Sequence, residues 1–247
     1  MVRFQFSTTT RRIYSLTNPL IIVTLLLLVS SGFSIEHREG IGKQLSKSDS
    51  LLIQTLPKSG KLVKGKPVGK NWIDLLTSLD EWNVEKNYWE LKKHILHGDY
   101  QGGKFHNYIW TKKRYTDFEL QVLIKLDGKD ANSGVCIRLN PVDADNAPGY
   151  QIDMGEGYWG SLWEEKRAGM VQQFPVELAA KLVRMHDWNH YYIIAKGHHI
   201  QAWLNGVKTI DFVHESGFEE GSLGFQLCHG EKHTIVDVKS LYIKEIK

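Results

Sequence analysis

Residues 132–169 read NSGVCIRLNPVDADNAPGYQIDMGEGYWGSLWEEKRAG, which sets Arg138, Asp153, Glu164, Glu165 and Arg167 among tryptophan, tyrosine and glycine. Carboxylates can take and give protons, a guanidinium can hold a developing oxyanion, and flat rings can stack on a sugar. Strand periodicity says how such groups would be displayed. Val135, Ile137 and Leu139 alternate with Cys136 and Arg138, and Tyr150, Ile152 and Met154 alternate with Gln151 and Asp153. Side chains on a strand change face at every residue, so the pattern predicts a sheet with one apolar face and one working face. A plainer reading stands beside it, in which Arg138 and Asp153 pair with each other or line a solvated side.

The elements around this run are short. From residue 71 onward, runs of strand-forming residues are separated by turn signals every eight to fifteen positions, the spacing of an all-β sandwich or barrel. The clearest strand is 118–126, with Phe118, Leu120, Val122, Ile124 and Leu126 on one face. Strands are also predicted at 191–196, 200–204, 207–213, 222–228 and 234–246. Asn205-Gly206 reads as a tight hairpin turn, because both residues tolerate positive φ. Residues 174–185 form the one helical stretch, opened by Pro175, with Leu178, Leu182 and Met185 on one side.

The N-terminal residues are of another kind. Residues 1–34 carry Arg3, Arg11 and Arg12, no acid, and the apolar run PLIIVTLLLLV before Ser30, Ser31, Gly32 and Ser34. That is the layout of a signal peptide, and its apolar run of 11 residues is short for a membrane span. An uncleaved anchor, the one route to a membrane, is the alternative. Residues 35–70, rich in lysine, serine and glycine, read as a flexible linker. The chain is thereby expected to be exported, periplasmic or extracellular.

The net charge of +3 belongs to these segments. Residues 71–247 hold 20 basic and 25 acidic side chains, with no basic stripe, which argues against a nucleic-acid partner. All eight tryptophans lie beyond residue 70. The two cysteines, Cys136 and Cys228, sit in apolar strand-like runs and read as buried thiols or as one disulfide.

The ordered set TDFELQVLIKL, NSGVCIRL, GYQIDMGEGYWGSLWEE, DWNHYYIIAKGHHIQAWLNG and GSLGFQLCHG, ending in VKSLYIKEI, resembles the 3-keto-disaccharide hydrolase family over residues 72–247. The resemblance implies a concanavalin-like β-sandwich, or jelly roll. It also implies action on 3-keto-glycosides, sugars whose 3-hydroxyl is already a ketone. The ketone acidifies the C2 proton, a base removes it, the group at C1 leaves, and water adds across the double bond. Such a site needs a base, a cationic group to hold the developing enolate oxygen, and an acid near the leaving oxygen. Paired carboxylates at a fixed separation are not required.

The roles fall as follows. Asp153 or Glu165 is the expected base, Arg138 the clamp, and His229 at the end of GFQLCHG a proton donor or ligand. Of the acidic pair, Glu165 shares the parity of Trp163 and is expected to face the groove, with Glu164 turned to solvent. Trp159 and Trp163 are the expected sugar platform, and Gln151, Arg167 and Gln226 are further substrate-binding candidates. Many relatives carry glutamate where this chain has Gln151. His94 and His97 do not stand in a helical ligand pair, and no metal is assigned, although a carboxylate with His229 could bind a divalent ion. The rival reading from another class is a glycan-binding module without turnover, since this kind of sandwich serves both.

Overall fold

The computed structural model describes residues 60–85, 87–230 and 232–247. The expected signal peptide, and most of the expected linker, lie outside the described residues. Within 60–70 the chain forms a hairpin of β1 (Leu62–Val63) and β2 (Lys66–Pro67), and the Ser240 hydroxyl donates to the Gly65 carbonyl at 2.8 Å.

Short strands follow: β3 (Ile73–Asp74), β4 (Trp82–Asn83), β5 (Trp89–Lys92) and β6 (Ile95–Tyr100). The central ones are β7 (Asn107–Tyr115), β8 (Phe118–Asp127), β9 (Asn132–Leu139) and β10 (Gly149–Gly155). After β11 (Leu162–Glu165) and β12 (Gly169–Gln172) comes the helix α1 (Val176–Leu182). β13 (Asn189–Lys196), β14 (His199–Leu204), β15 (Val207–Val213), β16 (Gly221–Leu227) and β17 (Thr234–Glu245) complete the chain.

Two antiparallel sheets stack as a sandwich. One runs β12-β11-β10-β9-β16-β7-β4 and the other β15-β14-β13-β8-β17-β6-β5. The alternating apolar residues of β8 all enter the core, with Phe118, Leu120, Val122 and Ile124 fully buried. They meet Val135, Ile137, Tyr150, Ile152, Met154 and Phe225 from the other sheet. At about 25 cal/mol per Å² of apolar surface, these two inner faces supply most of the drive to fold. Asn205 and Gly206 take φ of 49° and 90°, the both-positive geometry expected between β14 and β15. The helix is shorter than the sequence pattern implies. Leu178 and Met185 are exposed and Ala179 is its buried contact, because about two helical turns cannot bury a wide stripe.

One irregularity decides where the charges go. β9 matches β16 through Cys136↔Gly224 and Leu139↔Ser222, so Ile137 and Arg138 together oppose one residue, a β-bulge. Arg138 sits at φ 51°, a left-handed conformation uncommon for a residue with a side chain. The extra residue inverts the expected alternation beyond it. Leu139 packs with Cys136 and Tyr108 on the outer face, and Arg138 leaves that face.

Candidate active site

The outer face of the seven-stranded sheet carries the parity set that the sequence suggested. Gln151 and Asp153 come from β10, Trp163 and Glu165 from β11, and Gln226 from β16. Together with Cys228, His229, His106, Asn132, Tyr158 and Lys232 they line an open hollow of about 240 Å³. β10 and β11 pair with Gln151 opposite Trp163, which sets amide and ring side by side. Gly134 on β9 makes this possible, since a Cβ there would lie 2.2 Å from the Gln151 side chain.

Asp153 is only 4 % exposed, and burial pushes its carboxyl up to about 7. Removing water penalises the charged form, and the Met154 amide at 2.9 Å and Gln151 Nε2 at 3.3 Å recover part of that loss. The nearby charge of Glu165 adds to the rise. From the facing sheet, the Tyr191 hydroxyl donates to the Asp153 carbonyl at 3.0 Å and fixes the backbone below it. Glu165 is also held above the usual carboxylate range by burial, while Lys166 and hydrogen bonds from Tyr108 and Gln226 oppose the shift.

At the rim, His106 and His229 stack with ring centroids 4.0 Å apart and planes inclined by 23°. Burial first, then the His229 charge, pushes His106 down to about 4. The wall on one side is Trp163, met edge-on by Tyr158 at 6.5 Å. A second hollow, of about 330 Å³, shares Asn132, Tyr158 and Lys232 with the first. A third, of about 320 Å³, shares His106.

Residues 71–244 match the model of the 3-keto-alpha-glucoside-1,2-lyase-like domain. The chain belongs to that family. No curated protein matches it. Among solved structures, a "putative glycosyl hydrolase" from Parabacteroides distasonis is 21% identical with a TM-score of 0.55, over 72% of this chain and 100% of that one. A second from the same organism is 17% identical with a TM-score of 0.53, over 72% and 94%. The carbohydrate binding module CBM66 from Bacillus subtilis is 17% identical with a TM-score of 0.51, over 65% and 93%. At these identities the likeness concerns the fold, a β-sandwich common to catalytic and binding proteins.

Of the expected site residues, Asp153, Glu165, His229, Trp163, Gln151 and Gln226 meet in the hollow. Three others do not. Arg138 is fully buried at the sandwich seam, where its guanidinium donates to the carbonyls of Phe218 at 2.9 Å and Thr116 at 3.1 Å. Its carboxylate neighbour is Asp117 at 3.8 Å, so neither the expected clamp nor the alternative pairing with Asp153 is formed. The bulge is the cause. Trp159 is 6 % exposed and packs with the core, and it lines the adjoining hollow of about 330 Å³ rather than this one, where Tyr158 stands beside Trp163. Arg167 lies outside the hollow, paired with Glu164 at 2.9 Å and set over the Phe218 ring.

Glu164 is itself buried against Arg167, not turned to solvent as its parity suggested. Cys136 and Cys228 are both free thiols, so the disulfide alternative is not realised. His94 and His97 pair separately, with Asp74 and Asp237. Sequence reasoning missed His106, Tyr108, Asn132 and Lys232. His106 had a usable signal: β7 and β16 align Asn107 with Leu227, which puts the residue before one beside the residue after the other. Among the described residues, no helix is long and apolar enough to cross a membrane.

Proposed function

We propose that this protein cleaves 3-keto-glycosides by proton abstraction at C2, elimination across C1–C2 and hydration. The observation that carries the reading is the buried Asp153 carboxyl, brought to about 7 and opening beside Trp163 into a sugar-sized hollow. A base whose pKa lies near the working pH is ionised often enough to act and basic enough to take a carbon-bound proton.

Asp153 takes the C2 proton, and the C2–H electrons pass into an enolate on the C3 oxygen. When the ketone re-forms, C1=C2 is made and the C1–O bond breaks. The departing oxygen takes a proton from Glu165, whose pKa burial raises. Water then returns hydroxyl to C1 and a proton to C2. Tyr108, Gln226 and Gln151 hold the two carboxyls apart, and Trp163 stacks on the ring. The hollow shared through Asn132, Tyr158 and Lys232 would receive the leaving sugar. With Arg138 withdrawn, Lys232 is the cationic side chain of the hollow left to face the enolate oxygen.

The chain is further proposed to act outside the cytoplasm, on the strength of the basic-then-apolar pattern in residues 1–34. The test of the activity is incubation with a 3-keto-disaccharide and with its unoxidised parent while free sugars are followed. Release from the ketone form alone supports the proposal. No release from either leaves the glycan-binding module, and release from the parent marks an ordinary glycosidase.

A further inference from the structure

His106, Cys228 and His229 bring one donor atom each to within 4.8 Å of the others. They come from the residue before β7 and the two residues after β16, which the antiparallel pairing of those strands holds side by side. Tetrahedral zinc-class ions bind sulfur at about 2.3 Å and imidazole at about 2.0 Å, which asks for donors roughly 3.5 Å apart. The cluster is therefore a side-chain adjustment away from a closed set. His106 also accepts the His229 backbone N–H on Nδ1 at 3.3 Å, which ties the two residues together.

We propose that His106, Cys228 and His229 form a binding site for a divalent cation of the zinc class at the rim of the hollow. One thiolate and two imidazoles suit such borderline ions better than magnesium or calcium, which prefer oxygen. Three protein ligands leave a fourth position for water or substrate, the pattern of a working rather than a structural ion. The ion would displace the Cys228 proton on binding. Lys166 and Lys232 face the cluster and oppose a cation, while Glu165 and Asp145 offset them. The three donor residues line the same hollow as Asp153, so a cation held there would lie within the site where enolate charge develops on the C3 oxygen. That role rests on the proposed elimination; the site itself does not.

The full chain, freed of metal by chelation, is titrated with cobalt(II) and followed by absorption. Saturation at one equivalent with a thiolate-to-cobalt charge-transfer band is expected. Cys228→Ser should abolish the band, Cys136→Ser should keep it, and His106→Asn should weaken binding at least tenfold, with thermal melts showing each variant folded. No saturable binding by wild type, or a band that survives in Cys228→Ser, overturns the site. Cobalt binding without any turnover of 3-keto-sugar keeps the site and removes the elimination. Undiminished turnover by chelated wild type removes the catalytic role of the cation alone.

Discussion

Asp153 and Arg138 lie on neighbouring strands of one sheet, are both buried, and end in opposite circumstances. Asp153 opens on a hollow with a carboxyl held near 7 by lost hydration. Arg138 is sealed at the sandwich seam, where burial lowers its pKa and backbone carbonyls take its donors. The difference teaches that burial of a charge does not by itself mark a working group. Asp153 borders a hollow and keeps a tendency to accept a proton there, whereas Arg138 spends Nη1 and Nη2 on backbone carbonyls, keeps only Nε without a partner, and lines none of the three hollows.

Substitution should separate the two. Asp153→Asn is expected to lower turnover of a 3-keto-glycoside by about 10²–10⁴, the usual worth of a general base, with the fold retained. Full activity in that variant would make Asp153 structural. Arg138→Ala is expected to cost about 3 kcal/mol of stability, because two carbonyls lose their partner and a void remains. Denaturant unfolding reads the loss, and turnover per folded molecule should stay within about twofold of wild type.

The pH behaviour sharpens the contrast. A base near 7 makes kcat/KM fall about tenfold per pH unit below that value. Stability moves the other way. The folded carboxyl binds its proton more tightly than the unfolded one, whose pKa is near 3.9. This group therefore stabilises the fold most below pH 4 and does so less as pH rises toward 7. In Asp153→Asn that decline should flatten, and melting at pH 8 should move upward from wild type. A variant with an unchanged stability profile would mean the carboxyl is not desolvated. The smallest effect is expected for Trp163→Ala, with KM raised about fivefold and kcat little changed, the worth of one stacked ring. A change in kcat without KM would give the indole another role.

Much of this was legible in the chain. The alternation in β8, the Asn205-Gly206 turn and the parity of Gln151, Asp153, Trp163 and Glu165 all follow from period-two patterning, which a regular strand obeys. Arg138 broke the pattern because the bulge is decided by pairing with β16, a partner some 85 residues away by number. Trp159 lies in the turn before β11, where parity gives no direction, and it lines the adjoining hollow instead of standing beside Trp163. His106 lies before its strand begins, where periodicity has nothing to say. Its place emerges once β7 is laid beside β16.

Cleavage in deuterium oxide tests C2 chemistry most directly. Wild type acting on a 3-keto-disaccharide should release a 3-keto-sugar carrying one deuterium at C2 beyond the enzyme-free control, and Asp153→Asn should give neither cleavage nor label. Sugar released with its original C2 hydrogen intact would mean the bond is broken by another route, and would contradict the assignment of Asp153 as the base.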